Sequence, residues 1–355
     1  MITYNIAVLP GDGIGPEVIQ QAIRLLDIIS LKEEVKFTLH DGLIGATAID
    51  HTGTALPDET LKLCKNSDAI LMGAVGHPKF DNDPTAKIRP EQGLLKIRKE
   101  LGLFANIRPI TTYPVLYAIS PLKEERLKDV DFVVYRELTG GIYFGDKGRN
   151  EDGTQAYDHC NYSVSEIIRI SRMAFDAANA RKKKLTLVDK ANVLETSRLW
   201  RETVKNLSKD YPDVQLDYMF VDAASMRIIQ NPGYFDVILT ENMFGDIITD
   251  EASVITGSIG LLPSASVGEG TALFEPIHGS YPEGAGKNLA NPFAAILSMG
   301  MMLGYLGLKN AEQKLKNAVE AALMEGIATP DINPAKKLST SDVGDWMVNY
   351  IVTGY

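Results

Sequence analysis

The chain has little cysteine, few histidines and no excess of positive charge. Its 355 residues include only two cysteines, Cys64 and Cys160, and neither lies at the spacing of a zinc site. Two thiols cannot form a disulfide framework, so we expect a protein of the reducing cytoplasm. Lysine and arginine number 36 against 46 aspartates and glutamates, which gives a formal net charge of −10. That balance argues against nucleic acid as a partner.

The sequence also lacks the apolar run of a membrane helix and the basic start of a signal peptide. Its first residues, MITYNIAVLPGDGIG, contain no basic side chain and soon reach a glycine turn. The longest uncharged stretch, residues 288–308, opens with asparagines and a proline and is diluted by Ser298 and glycines. A buried helix explains this stretch better than a membrane span, so we expect no membrane partner.

What the sequence does contain is an alternation of short β-branched runs and longer amphipathic segments. The runs predict strands over residues 4–9, 69–73, 132–136, 185–189, 216–221 and 235–240. The amphipathic segments predict helices over residues 16–29, 165–180 and 196–209. This alternation is typical of α/β proteins with largely parallel strands. Residues 140–160, rich in glycine, aspartate and lysine in the middle, predict a protruding hairpin or arm.

A glycine cluster follows the first predicted strand. Gly11, Gly13 and Gly15 have the spacing GxGxG, and Pro16 stands where a dinucleotide-binding fingerprint has its third glycine. Proline suits the first turn of a helix. The spacing therefore disfavours the fingerprint and leaves two alternatives, a plain strand-to-helix turn or a ligand-facing turn of another fold.

Carboxylates at strand ends give the strongest chemical signal. Asp246 and Asp250 are four residues apart in a predicted helix, so both side chains lie on one face. Like charges at this spacing are destabilising unless a cation lies between them. Mg²⁺ or Mn²⁺ would provide that cation, with Asp222 at another strand end as a third oxygen ligand. A solvated acidic helix face is the alternative.

Basic and phenolic side chains add a second signal. Arg98, Arg108 and Arg136 are suited to binding a substrate with more than one carboxylate, although each alone could be an ion-paired structural arginine. Lys190 follows a predicted strand and Tyr143 follows two glycines, which makes them a candidate base and acid. The histidines form no HxxxH pair and no GxSxG motif is present, so hydrolase chemistry is disfavoured.

Six strings in order along the chain resemble the β-decarboxylating dehydrogenases, the isocitrate/isopropylmalate dehydrogenase family. They are LPGDGIGPEV from Leu9, EQGLLKIRKELGLFANIRP from Glu91, YRELTGGIYFG from Tyr135, VDKANVLETSRLWRE from Val188, ENMFGDIITDEAS from Glu241 and LFEPIHGSYPEGAGKNLANPFAAILS from Leu273. The resemblance implies a two-domain α/β fold with central mixed sheets that is not a classical Rossmann fold. Residues 1–103 plus 257–355 would form a cofactor-binding domain, and residues 104–256 a catalytic and dimerisation domain that carries the arm.

The resemblance also implies roles for individual residues. Tyr143 and Lys190 would be catalytic, and a homodimer would bring Lys190 and Asp222 into the partner's site. The substrate would be bound by Leu94, Arg98, Arg108, Arg136 and Asp222. Mg²⁺ or Mn²⁺ would be bound by Asp222, Asp246 and Asp250. NAD would be bound by His278, Gly279, Ser280, Glu283, Gly286, Asn291 and Asp331.

The implied reaction is the oxidative decarboxylation of (2R,3S)-3-isopropylmalate to 4-methyl-2-oxopentanoate and CO₂ in leucine biosynthesis. Leu94 and Leu95 favour an isopropyl group, and Glu91 would repel the extra carboxylate of isocitrate. D-malate and tartrate remain alternative substrates. The negative charge of Glu283 opposes a 2′-phosphate and so favours NAD over NADP. A non-catalytic regulatory subunit is disfavoured because all five catalytic and metal-binding groups are present.

Overall fold

The computed structural model describes residues 2–83 and 86–354. The chain divides into two compact units. Unit 1 is assembled from both chain ends, Met1–Leu101 and Gly257–Tyr355, and unit 2 is the continuous segment Gly102–Thr256.

Strands and helices alternate along much of the chain. The strands are β1 (Thr3–Gly11), β2 (Lys36–Asp41), β3 (Ala69–Ala74), β4 (Ala105–Thr111), β5 (Asp131–Glu137), β6 (Lys147–Arg149), β7 (Ala156–Asp158), β8 (Lys184–Asp189), β9 (Gln215–Phe220), β10 (Val237–Thr240), β11 (Pro263–Val267) and β12 (Leu273–Pro276). The helices are α1 (Gly15–Lys32), α2 (Gly45–Thr52), α3 (Asp58–Lys65), α4 (Pro78–Asp81), α5 (Glu91–Glu100), α6 (Glu124–Leu127), α7 (Val164–Ala180), α8 (Glu195–Leu207), α9 (Val221–Gln230), α10 (Asn242–Ser253), α11 (Phe293–Tyr305), α12 (Lys309–Met324) and α13 (Thr340–Gly354).

Unit 1 contains strands in the order β2-β1-β3-β12-β11. The first four are parallel and β11 is antiparallel to β12. The long uncharged stretch forms α11, which is buried over most of its length, as we predict for a helix of a hydrophobic core. Within the described ranges, no helix has both the length and the apolar character needed to cross a membrane.

Unit 2 contains strands in the order β4-β5-β10-β8-β9. Four of them are parallel, and β4 is antiparallel to β5. The carboxyl ends of parallel strands meet at one edge of a sheet, which is where α/β proteins bind ligands. At this edge Arg136 closes β5, Lys190 follows β8, and Glu241 and Asn242 follow β10.

Two predicted strands of unit 2 extend past an end of the observed strand, whereas the other two lie within the observed β5 and β8. The predicted strand over residues 216–221 ends at Phe220, and Val221 already begins α9. Asp222 therefore lies in the first turn of a helix, where a negative charge interacts favourably with the helix dipole. The predicted strand over residues 235–240 begins only at Val237, and the carboxylate of Asp236 before it accepts hydrogen bonds from Arg181 and from the amide of Lys182.

The segment predicted to be an arm contains the two-stranded antiparallel sheet of β6 and β7. Apart from Gly148, every residue of these two strands is exposed. No apolar side chain of either strand is buried, so the hairpin adds nothing to the core of unit 2.

The glycine cluster after β1 packs against the backbone of its own unit. A Cβ atom on Gly11 would lie 2.0 Å from the carbonyl oxygen of Ala74, and one on Gly13 would lie 1.9 Å from that of Ser280. Between them, the buried Asp12 carboxylate accepts hydrogen bonds from the backbone amides of residues 46, 47 and 76. These contacts are those of a tight strand-to-helix turn, and Ile14 of the same turn lines a cavity of unit 1.

Candidate active site

Arg136 lies at the carboxyl end of β5 and is almost fully buried. Its Nε donates to the backbone oxygen of Asn242 at 2.9 Å, and its Nη2 donates to the Asn242 side-chain oxygen at 2.9 Å. Its Nη1 donates to Asp246. Burial of a guanidinium requires partners of this kind, because desolvating an unpaired charge is costly.

Arg108, on β4, lies between the two carboxylates of α10. Its Nη2 is 3.8 Å from Asp246 Oδ1 and its Nη1 is 3.5 Å from Asp250 Oδ1. Nη1 also donates to Thr249 Oγ1 at 2.5 Å. Asp246 and Asp250 share one face of α10, as their spacing predicts, and their side chains are 35% and 66% exposed. A ligand can therefore reach both carboxylates from solvent.

Tyr143 is joined to the same group of charges. Its hydroxyl donates to Asp246 Oδ2 at 2.9 Å, and its ring lies 5.8 Å from the guanidinium carbon of Arg136. Burial, reinforced by the negative charge of Asp246, raises the pKa of Tyr143 to about 12. The phenol therefore holds its proton at neutral pH and acts as a hydrogen-bond donor.

Lys190 and Asp222 form a second group in unit 2. Lys190 Nζ donates to Asp222 Oδ1 at 2.7 Å. This hydrogen bond lowers the pKa of Asp222 below its ordinary value. Among the described residues of one chain, no three His, Cys, Asp or Glu side chains come together as a possible metal site, so Asp222 does not complete the Asp246 and Asp250 pair.

In unit 1, helix α5 carries the two remaining residues that are predicted to bind the substrate. Leu94 and Arg98 are one helical turn apart, and Leu94 is half-buried. Arg98 is buried and donates from Nη2 to Glu275 Oε1 at 2.8 Å. Its Nε is also buried and finds no hydrogen-bond partner in the part of the chain that the structure describes.

Unit 1 also contains a cavity of about 350 Å³ whose lining includes His278, Gly279, Asn291 and Asp331. Asp331 accepts hydrogen bonds from Asn291 Nδ2 at 3.1 Å and from Ser258 Oγ at 2.5 Å. The buried Nε2 of His278 has no partner within residues 2–83 and 86–354. Burial lowers the pKa of His278, so its imidazole is neutral and offers a hydrogen bond to a ligand.

The other three predicted cofactor residues do not line this cavity. Ser280 is buried and its backbone oxygen accepts from the amide of Ile14 at 2.8 Å. Glu283 is exposed, and the amide of Gly286 donates to Glu17.

Gly284 packs against the ring of Tyr281. A Cβ atom on Gly284 would lie 2.4 Å from the ring of Tyr281. The ring therefore takes the space that a larger residue would fill.

Three residues at these sites are not among the predicted site residues. Asn242 binds Arg136, Ser258 binds Asp331, and Glu17 accepts from the amides of Gly286 and Asn288. Only Asn242 had a signal in the sequence, because it follows the end of a predicted strand. Ser258 and Glu17 are far in sequence from the residues that they bind.

A family model described as isocitrate/isopropylmalate dehydrogenase matches residues 5–347. Proteins named 3-isopropylmalate dehydrogenase are similar to this chain over nearly their whole length. The one from Bacteroides fragilis (strain YCH46) is 52% identical over 98% of this chain and 99% of its own. The one from Geobacillus kaustophilus is 54% identical over 94% and 91%.

Solved structures are similar as well. Isocitrate dehydrogenase from Methylococcus capsulatus superposes with a TM-score of 0.89 at 33% identity, over 98% of this chain and 99% of that one. A β-decarboxylating dehydrogenase from Thermococcus kodakarensis has a TM-score of 0.81 at 36% identity, over 99% and 96%. The predicted α/β fold with mixed sheets, distinct from the classical Rossmann fold, is confirmed. Sequence and fold agree over almost the entire chain, which therefore belongs to the isocitrate/isopropylmalate dehydrogenase family.

Proposed function

We propose that the chain catalyses the oxidative decarboxylation of (2R,3S)-3-isopropylmalate to 4-methyl-2-oxopentanoate and CO₂, with reduction of NAD⁺. The observation that carries this proposal is the hydrogen-bonded cluster of Arg136, Asp246 and Tyr143 in unit 2, with Arg108 against the same carboxylate. This cluster combines guanidinium groups that can bind carboxylates, a carboxylate that can bind a metal ion, and a protonated phenol. The names of the relatives that are about half identical to this chain support the same substrate.

Arg98, Arg108 and Arg136 bind the substrate carboxylates. Each is buried, which excludes water and strengthens its interaction with an anion. Arg98 has a buried Nε without a partner among the described residues, so an incoming carboxylate would satisfy a donor that is otherwise unpaired. Leu94, on the same face of α5 as Arg98, contacts the isopropyl group of the substrate.

The donor set of α10 fits a hard divalent cation. Asp246 and Asp250 present carboxylate oxygens on one exposed helix face, and oxygen ligands are those that Mg²⁺ and Mn²⁺ prefer. Asp222 supplies the third carboxylate from the partner subunit. A metal ion held there would polarise the substrate hydroxyl and carboxylate, and NAD⁺ would accept the hydride.

Two side chains of the protein move protons. Lys190, in its neutral amine form, accepts the proton of the substrate hydroxyl at Nζ as the C–H bond breaks, which leaves a ketone β to a carboxylate. Loss of CO₂ then leaves the electron pair of the broken C–C bond on the substrate as an enolate. Tyr143 donates its hydroxyl proton to the carbon, which requires a phenol that is still protonated at neutral pH, as its raised pKa ensures. The arginines keep the substrate aligned through both steps.

The cavity of unit 1 fits the adenosine half of NAD⁺. It offers the unpartnered His278 Nε2, the amide of Asn291 and the carboxylate of Asp331 on a largely apolar lining. Ser280, Glu283 and Gly286 complete the cofactor site outside this cavity. The exposed carboxylate of Glu283 opposes the 2′-phosphate of NADP⁺ and so favours NAD⁺.

The active form is a homodimer in which Lys190 and Asp222 serve the partner's site. The 2.7 Å ion pair between Lys190 and Asp222 holds the two side chains side by side, so that one chain would contribute both to the partner's site. Exposed apolar side chains on α9 and α10 support such an interface, since Met226, Ile229 and Ile247 are each about half exposed. The free cysteines Cys64 and Cys160 are consistent with a cytoplasmic location.

Formation of NADH at 340 nm tests the proposal. Purified protein is assayed with Mg²⁺ and 3-isopropylmalate, beside D-malate, isocitrate and NADP⁺, and again after addition of EDTA. We expect turnover that depends on isopropylmalate and NAD⁺ and is lost in EDTA. Preference for D-malate would contradict the role of Leu94, and inactivity with every acid would contradict the proposed reaction.

A further inference from the structure

We infer that Asn242 is a positioning residue, which holds the guanidinium of Arg136 and the loop before Tyr143 in one fixed arrangement. Asn242 is the first residue of α10 and is 1% exposed. Its side-chain amide is hydrogen-bonded to Arg136 and to Gly140. The inference rests on the proposed function, because it takes Arg136 as a substrate-binding residue.

One half of the Asn242 amide binds Arg136. The side-chain oxygen of Asn242 accepts from Arg136 Nη2 at 2.9 Å and from Nε at 3.2 Å, and its backbone oxygen accepts from Nε at 2.9 Å. Three hydrogen bonds to two nitrogens fix the plane of the guanidinium. The remaining nitrogen, Nη1, is thereby directed at Asp246.

The other half of the amide binds the loop that leads to Tyr143. Asn242 Nδ2 donates to the carbonyl oxygen of Gly140 at 3.1 Å. The amide of Gly140 in turn donates to the buried carboxylate of Glu137 at 2.7 Å. The loop is therefore tied to α10 on one side and to the end of β5 on the other, three residues before the catalytic phenol.

Asn242 is itself held in place by a hydrogen bond of its backbone. Its backbone amide donates to the hydroxyl oxygen of Tyr162 at 3.0 Å, and that hydroxyl donates to Glu241 at 3.1 Å. A side chain fixed at both ends in a buried site is suited to orienting its neighbours, because it has little freedom to follow them.

The chemistry of the two contacts explains why the residue is asparagine. Arg136 offers only donors and Gly140 offers a carbonyl acceptor, so the position requires one acceptor and one donor on a short side chain. Aspartate would keep the acceptor for Arg136 but would set a negative oxygen against the Gly140 carbonyl. Alanine would remove both contacts and leave buried polar groups unpaired.

Gly245 gives independent support for the same arrangement. It lies three residues after Asn242 on α10, and a Cβ atom there would lie 2.6 Å from Cγ of Arg136. Helix α10 thus binds the guanidinium of Arg136 through Asn242, and the absence of a side chain at Gly245 leaves room for the aliphatic part of Arg136. Alanine at Gly245 would displace Arg136 without touching the Asn242 amide.

Steady-state kinetics of N242A, N242D and G245A test the inference, with N317A as a matched control. Asn317 lies on α12 and accepts from Gln313 at the surface. We expect N242A and G245A to raise KM for isopropylmalate by about 10- to 100-fold and KM for NAD⁺ by less than about twofold. We expect N242D to keep KM for isopropylmalate within about threefold and to lower kcat by about tenfold or more, because only the Tyr143 loop loses its contact.

The dissociation constant for isopropylmalate with Mn²⁺, from calorimetry, gives a second readout that needs no turnover. A merely structural role would reduce the folded fraction and leave both KM values and this constant unchanged in the folded protein, which would overturn the inference. If N242A does not fold, N242D and G245A decide the matter by the same criteria.

The variant R136Q separates this inference from the proposed function. If R136Q raises KM for isopropylmalate and the Asn242 and Gly245 variants do not, the inference is wrong and the proposed function stands. If R136Q leaves KM unchanged, Arg136 does not bind the substrate, and both the proposed role of Arg136 and the inference are wrong.

Discussion

At the scale of single residues, the proposed role of Lys190 as general base can be tested directly. We predict that K190M lowers kcat by about 10²- to 10⁴-fold, the contribution typical of a general base. The matched control is K316M, which removes an exposed lysine that pairs with Glu312 on α12. NADH formation at saturating substrate measures both. Turnover of K190M within about threefold of the parent would remove Lys190 from the role of base.

His278 makes a prediction about stability and pH. Burial lowers its pKa in the folded state, so between that pKa and the ordinary value near 6.5 only the unfolded chain takes up the proton. Stability is therefore retained above about pH 6.5 and is lost as pH falls, by up to about 1.4 kcal/mol per pH unit. Urea unfolding at pH 7.5 and 5.5 should show a weaker pH dependence in H278N than in the parent.

The control for His278 is H51N, which removes an exposed histidine of α2. Comparison with H51N separates the effect of the buried position from the loss of a histidine as such. An unchanged pH dependence in H278N would mean that His278 is protonated alike in the folded and unfolded states.

At this scale, the sequence identifies candidate site residues more readily than the side chains with which they form hydrogen bonds. The alternating pattern and strand ends place Arg136, Asp246 and Lys190 where chemistry is expected, and the spacing of Asp246 and Asp250 predicts their shared face. The hydrogen bond from Tyr143 to Asp246 joins residues 103 positions apart and has no local signal. The contact of Arg98 with Glu275 cannot be predicted from local sequence for the same reason, since the two residues are 177 positions apart.

At the scale of elements, α5 makes a prediction about selectivity, because it carries Leu94 and Arg98 one turn apart. We predict that L94S lowers kcat/KM for isopropylmalate by about 30-fold, which corresponds to roughly 2 kcal/mol for three buried carbons. The same change should alter kcat/KM for D-malate by less than about threefold, because D-malate has no isopropyl group. The control is L31S, at an exposed leucine of α1. An equal loss with both acids would mean that Leu94 supports the fold and not the substrate.

The sequence predicts part of the set of elements. Apolar periodicity is enough to predict α1, α7 and α8 and six strands, β1, β3, β5, β8, β9 and β10, whereas β2, β4, β11 and β12 have no counterpart among the predicted strands. The start of α9 is not predicted, because Phe220 and Val221 are apolar residues that suit a strand as well as a helix. The pairing of β12 with β3 also has no local signal, because the two strands belong to opposite ends of the chain.

At the scale of the whole molecule, the proposed exchange of Lys190 between subunits can be tested by complementation. K190M and D246N are each expected to be inactive alone. In a mixed dimer, one site would receive Lys190 from the D246N chain and Asp246 from the K190M chain, and would be intact. Random coexpression should restore about a quarter of the parent activity, since about half of the dimers are mixed and each has one good site of two.

Activity that stays at the level of the single variants would mean that Lys190 serves its own chain. Coexpression of K190M with K190A is the control, because no combination of these chains supplies the lysine.

The construction of unit 1 from both chain ends has a consequence during synthesis on the ribosome. Ile70 and Leu71 of β3 pair with Leu273 and Phe274 of β12, which emerge about 200 residues later. At about 5–20 residues per second, one edge of β3 waits roughly 10–40 s for its partner strand. The continuous segment Gly102–Thr256 is complete within that interval and can fold first. The unit that is translated first is therefore the one that is finished last, and its open strand edge is where a nascent-chain chaperone would be needed.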